Sequence, residues 1–301
     1  MQMVAVTPAA VEARVLPRRP SRLLEGWDRY ASDPLAVVGL AILVIVLLAA
    51  VFAPWVAPFD PNYQYEGLRR AAPGVEGHLL GTDELGRDIL SRLIWGGRLS
   101  LLVSVTPTVI AALIALVLGL LAGYFGGKPE QIIMRTLDVL FAFPVVLLAI
   151  LIAGVLGAGP RNQIIAITFI LVPYMARVVA GQVSTLKRQD FIEAARATGA
   201  GAREIILHEL VPNVIGPLIV YATVLVGFMI LVAAGLSFFG LGASPPASDW
   251  GYMVNSGKGS ISTAPHVVIM PSIMIVIVAL AFTFIGDGLR NVLDPQGNAP
   301  S

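Results

Sequence analysis

Hydrophobic positions in this chain arrive in long unbroken runs rather than at the spacing of one helix face. A helix needs about 17–25 consecutive apolar residues to cross a hydrocarbon core. Six runs qualify, at 35–52, 99–121, 139–156, 164–179, 217–236 and 267–285. The fourth is the shortest, holds Pro173 and ends near Arg177. Membrane barrels show short strands of alternating polarity instead, and that pattern is missing. The runs predict an all-α integral membrane protein with six transmembrane helices. A polar leader of more than thirty residues precedes the first run, which reads as a retained anchor rather than a cleaved signal. Pro107, Pro144, Pro173 and Pro271 fall in or near spans and are expected to kink helices. Asp138, Arg177 and Asp287 all fall at predicted span ends, so no charge is expected inside the bundle.

Composition sharpens this picture. Hydrophobic residues make up 56% of the 301 residues and charged residues 13%, against about 25% charged in soluble domains. Too few polar groups exist to coat a soluble globule, and too many apolar ones for disorder. The net charge of +1 gives no field that would attract nucleic acid. There is no cysteine and there are three histidines, so disulfides, thiolate chemistry and histidine-rich metal sites are excluded or disfavoured.

Basic residues set the orientation. The leader holds Arg14, Arg18, Arg19, Arg22 and Arg29, and the segment after the fourth run holds Lys187, Arg188, Arg196 and Arg203. Placing both inside puts thirteen of the twenty basic residues in the cytoplasm. That orientation is N-in and C-in. The chain divides into a cytoplasmic leader (1–34), a first span with an external loop (35–98), a core of five spans (99–288) and a cytoplasmic tail (289–301).

Three polar segments stand out. In the external loop, Thr82 or Asp83 is a good N-cap for a short amphipathic helix carrying Leu85, Ile89 and Leu93, lying at the interface before the second span. Its acids lack the alternating ligands of a calcium loop. Residues 187–212 on the cytoplasmic side read either as a helix–turn–helix elbow or as an ordinary surface loop. In the elbow reading, Asp190 caps a helix and Glu193 completes a capping box. Gly199 ends that helix in the left-handed conformation, and a second helix runs from about Ala202 until Pro212 interrupts it. The third segment, 242–251, holds Pro245, Pro246 and Trp250, the last an expected interfacial anchor.

Enzymatic chemistry is absent. Gly126-Gly127-Lys128-Pro129 lacks the upstream glycine and the hydroxyl of a phosphate loop. His208-Glu209 is not followed by the second histidine of a zinc protease, because Pro212 stands there. Neither a catalytic residue nor a metal or cofactor site is predicted, and the residues lining a substrate pathway are not identified. A polar elbow without a nucleotide site of its own points to docking on a separate motor subunit.

Glu193-Ala194-Ala195, then Gly199, then Pro212, resembles the EAA loop of bacterial ABC importer permeases. Gly81-Thr82-Asp83, Gly86-Arg87-Asp88, Ser91-Arg92, Arg98-Leu99-Ser100-Leu101, Trp250-Gly251, Gly286-Asp287-Gly288 and Asp294-Pro295 resemble the dipeptide/oligopeptide branch, and most of all its C-type second permease. The resemblance implies a type I ABC importer permease-like bundle in the bacterial inner membrane. It also implies a second related permease, two cytoplasmic P-loop ATPases that hold ATP and Mg, an external binding protein and a peptide substrate. ATP would be hydrolysed on the partners and not on this chain. Asp190, Glu193, Ala194, Ala195, Gly199 and Pro212 would couple to the ATPase. Nickel importers share these motifs, and a stand-alone secondary carrier or channel is the alternative from another class.

Overall fold

The computed structural model describes residues 22–293. Arg14, Arg18 and Arg19 of the leader and the Asp294-Pro295 pair lie outside the described residues. The elements are α1 (Arg22–Ala31), α2 (Pro34–Val51), the single turn α3 (Ala53–Val56), α4 (Ile89–Phe125), α5 (Gly127–Phe141) and α6 (Val145–Leu156). They continue with α7 (Pro160–Leu186), α8 (Asp190–Ala197), α9 (Ala202–Glu204), α10 (Val211–Phe238), α11 (Trp250–Gly257) and α12 (His266–Leu293). Among the described residues there is no strand, only an isolated bridge between Thr82 and Asp88.

Asp33 explains where the first span begins. One carboxylate oxygen accepts the Leu35 and Ala36 amides at 3.0 and 3.3 Å, and Pro34 fills a first-turn position that needs no donor. The other oxygen accepts from Asn291 at 3.1 Å, so the start of α2 and the end of α12 lie at the same end of the bundle. This is the inner end, the one that the basic residues assign to the cytoplasm.

Among the described residues, five helices are long and apolar enough to span a membrane. The third expected span is not a single helix. It is the pair α5 and α6, bent by 88°. Pro144 has no amide hydrogen to donate, and a proline ring disfavours the helical conformation in the residue before it; α5 stops at Phe141 and α6 starts afresh at Val145. The fourth run, the weakest in sequence, belongs to the most enclosed of these helices, α7, which runs about seven and a half turns from Pro160 to Leu186. Pro107, Pro173 and Pro271 sit within helices that continue past them.

Helix contacts inside a bilayer gain little from the hydrophobic effect, because lipid tails are as apolar as leucine. They rely on close packing of small residues. Ala111, Ala115, Gly119 and Gly123 recur every four residues on α4 and are buried. A Cβ at Gly119 would lie 2.5 Å from the Val179 Cβ and 2.9 Å from the Ala176 carbonyl of α7. At Gly123 the same atom would lie 2.7 Å from Val183 and 2.8 Å from the Ala180 carbonyl. The two backbones therefore touch directly. Similar approaches join α2 to α12 at Gly39 and α10 to α12 at Gly227.

The expected interfacial helix at Thr82 or Asp83 does not form. Residues 81–88 fold as a tight loop, and α4 begins only at Ile89, capped by Asp88 through the Ser91 amide at 2.7 Å. The reason is that the acids and bases satisfy one another inside the loop. Arg87 donates to Asp83 at 2.7 Å and the second Asp88 oxygen pairs with His78 Nδ1 at 2.9 Å, all four side chains being buried. Ile89 and Leu93 thus belong to the first turns of the second span. Trp250 is likewise not at an interface. It is 1% exposed, seated in a slot that Gly96 and Gly97 leave in α4, and its indole N–H donates to the Leu93 carbonyl at 2.9 Å. Ser100 bonds both Asp249 and the Trp250 amide, at 2.9 and 3.1 Å. Arg98 finishes the outer end by donating to the Ala50 and Val51 carbonyls at the C-terminus of α2.

Gly119→Leu should prevent stable insertion, and Gly119→Ala should destabilise the bundle by about 1–3 kcal/mol through overpacking. Gly154→Ala, where nothing lies within 4 Å of the new methyl group, should leave the thermal midpoint in detergent unchanged or raised. Thermal-shift size-exclusion chromatography of the three variants checks this.

Candidate functional site

The segment after α7 is an elbow. Three residues turn the chain, with the Gln189 amide donating to the Leu186 carbonyl at 3.0 Å. The N-cap of α8 is Gln189, not Asp190, and no side chain caps it, so the expected capping box is not made. Asp190 and Glu193 lie in the first turn instead, where negative charge favours the unpaired amides of the helix start. The C-terminus follows the expectation. Gly199 is left-handed at φ +89°, its amide donates to the Arg196 carbonyl, and the Ala200 amide donates to the Ala195 carbonyl, each at 3.0 Å. This pair of bonds is the Schellman closure.

Pro212 does not interrupt the second limb. Ile205–Leu210 form a wide π turn, in which the Val211 amide reaches back five residues to Ile206. Widening the turn lets the helix carry the proline ring and its missing donor. The Asn213 side chain satisfies the Glu209 carbonyl at 2.6 Å. One nearly continuous helix therefore runs from Ala202 to Phe238.

The elbow is rigid because its inner face is apolar. Ile192, Ile205 and Leu210 are 0–1% exposed and belong to the main core, with Ala195 packed against it. Asp190, Glu193, Ala194 and Pro212 face outward, and Phe191 is exposed beside them.

Behind the elbow, two adjoining cavities share Val178, Gln182 and Pro217 and make one groove between α7, α10 and α12. The first, of about 620 Å³, is bounded by Tyr221, Asp287 and Arg290. The second, of about 500 Å³, is bounded by Arg177, Thr185 and Asn213. Arg177 also pairs with Asp138 of α5 and lies 4.1 Å over the Phe141 ring, which Tyr174 meets edge-on at 4.6 Å. Arg177 lies nine residues before the end of α7, about 13 Å along its axis at 1.5 Å per residue. A lone ionised arginine or aspartate at a bilayer centre costs about 3 kcal/mol, and here each is paired with the other. Among the described residues, no three of His, Cys, Asp or Glu gather as a metal-binding group.

Residues 115–296 match the family described as the inner membrane component of binding-protein-dependent transport systems, and residues 21–73 match the N-terminal transmembrane domain of oligopeptide transport permease C. The chain belongs to this permease family. It is 42% identical to the di/tripeptide transport system permease protein DppC of Pseudomonas aeruginosa, over 92% of this chain and 93% of that one. It is 38% identical to the glutathione transport system permease protein GsiD of Pectobacterium atrosepticum, over 98% and 96%. An inward-facing methionine ABC transporter, MetNI, shares the fold, with a TM-score of 0.56 over 67% of this chain and 97% of that chain at 22% identity. The permease is thus a multi-pass protein of the bacterial inner membrane.

Within the permease, the residues read from sequence lie on one elbow. The outward Asp190, Glu193 and Ala194 gather on α8, Gly199 closes its C-terminus, and Pro212 sits beyond the π turn on the other limb. Phe191 escaped that reading, although an aromatic residue off the Ile192 and Ala195 face is a visible signal. The Asp138–Arg177 pair escaped it because its partners are 39 positions apart. Gln182, Asn213 and Tyr221 were legible only as polar residues scattered through apolar stretches.

Ile192→Ala should open a cavity under α8 and cost about 2–4 kcal/mol locally. Hydrogen exchange of the α8 amides should accelerate while those of α4 and α7 stay protected. Glu193→Ala, at an exposed position of the same helix, should leave both unchanged.

Proposed function

We propose that this permease is the C-type subunit of an ATP-driven importer of small peptides and that it forms half of the passage with a second, related permease. Two cytoplasmic ATPases hold the ATP and Mg and carry out the hydrolysis, and an external binding protein delivers the substrate. The observation that carries the reading is the elbow: a short helix closed at its C-terminus, anchored by Ile192, Ile205 and Leu210, and presenting a compact outward face. The peptide class follows the di/tripeptide relative, which matches nearly end to end.

In this reading α8 is the coupling helix. Ala194 is small enough to let an ATPase groove close on the backbone, Phe191 fills an apolar pocket of that groove, and Asp190 and Glu193 meet basic groups at its rim. Ala195 and Gly199 fix the shape of the helix and its exit. Both limbs of the elbow run directly into helices that border the groove, α7 on one side and Ala202–Phe238 on the other. Pro212 marks where the second limb enters the span. A displacement of α8 therefore moves both walls together and biases the bundle between inward- and outward-facing states.

Ala194→Trp and Ala195→Pro should abolish peptide uptake in cells while the protein still inserts. The proline alone costs an interior helix about 3 kcal/mol. Uptake at the unsubstituted rate in either variant would remove the coupling assignment. Gentle purification of the tagged permease from its native membranes should recover a second permease and P-loop ATPases. Recovery of this chain alone, active in liposomes without ATP, would replace the importer with a secondary carrier.

A further inference from the structure

The broken span and the groove meet at one place. Asp138 stands three residues before the end of α5, and Arg177 reaches across from α7 to pair with it while stacking on Phe141, the last residue before the break. Even when paired, the Arg177 side chain is 49% exposed and that of Asp138 37%. The same arginine borders the groove, which Thr185 and Asn213 flank toward the inner end, while Tyr221 lies further into α10; Val178, Leu186 and Pro217 also line it. Ionised side chains carried on apolar helices face a bundle interior or water rather than lipid. Gln182, Thr185, Asn213 and Tyr221 give this groove the polar groups that a wet passage needs.

Each member of the pair keeps unused capacity. The guanidinium offers a planar fork of five donors that matches a carboxylate, and the carboxylate accepts from an ammonium group. A molecule carrying both an ammonium and a carboxylate can replace each residue's partner at once and leave no charge uncompensated. A molecule with only an ammonium strands Arg177, whereas one with only a carboxylate leaves Asp138 to the exposed Arg135, 4.0 Å from its other oxygen.

We propose that Asp138 and Arg177 form a charge-paired constriction in the water-filled passage, engaged by the two charged ends of a zwitterionic peptide as it passes. The peptide half of this statement rests on the substrate class proposed above; the wet passage does not.

The chain has no cysteine, so single cysteines can be read in an otherwise native background. Arg177→Cys, Gln182→Cys and Ile45→Cys are placed in the complete transporter in inside-out membrane vesicles and treated with a charged methanethiosulfonate. Ile45, on α2, is 65% exposed in an apolar helix and serves as the lipid-facing control. Both groove cysteines should be labelled and the control should not. Trialanine at ~10 times its dissociation constant should slow labelling of Gln182→Cys about tenfold, and its N-acetylated, C-amidated form should not. Groove cysteines that resist the reagent with and without ATP would overturn the passage and the constriction with it. Equal protection by the charged and capped peptides, or protection by neither, would overturn the role of the charges. If Arg177→Cys does not insert, Gln182→Cys, which leaves the pair intact, decides alone. Uptake of trialanine by cells holding the unsubstituted transporter separates the two readings. Its absence removes the peptide class, whereas uptake with unprotected cysteines removes the constriction only.

Discussion

The direct backbone contact between α4 and α7 is the constraint on which the rest of this permease depends. Gly119 and Gly123 leave no space for even one further carbon atom against Val179, Val183 and the carbonyls of α7. In a bilayer this contact substitutes for the hydrophobic drive that would hold two helices together in water. Because α4 is fixed in depth and rotation by it, the outer turns of α4 present Gly96 and Gly97 where Trp250 can enter, and Ser100 where Asp249 can be met. Because α7 is fixed too, Arg177 points at α5 and Leu186 delivers the chain to the elbow at a set place. The functional features are thus consequences of one helix pair.

Much of this architecture is written in local sequence. Uninterrupted apolar runs place the spans, and the Gly199 terminator and the apolar Ile192 place and seat the elbow. What local sequence does not carry is long-range satisfaction of polar groups. Thr82 and Asp83 look like helix caps because a cap is a local arrangement. In the folded protein Asp83 is taken by Arg87, and Asp88 serves both His78 and the start of α4. Trp250 looks like an interfacial anchor for the same reason, until α4 supplies a slot and a carbonyl for it.

Prolines illustrate the limit from the other side. Pro144 breaks its span and Pro212 does not, although both carry the same missing donor. At Pro212 a π turn takes up the defect and the helix continues. At Pro144 no such repair occurs, and the two halves turn through 88°. The residue itself specifies a fault in the ladder. Its neighbours decide whether the fault becomes a bend.

The two ends of the bundle are built from different materials. At the outer end, buried ion pairs, the Trp250 wedge and the Arg98 clasp knit loops and helices into a stiff collar. At the inner end, α7, α10 and α12 stand apart around an open groove, while α4 alone stays in backbone contact with α7 at Gly123. A bundle clamped at one rim and loose at the other deforms as tweezers do, with small strain near the pivot and wide travel at the tips. The chain thereby confines its own compliance to the end where force would be applied, and keeps the opposite rim as a fixed seat.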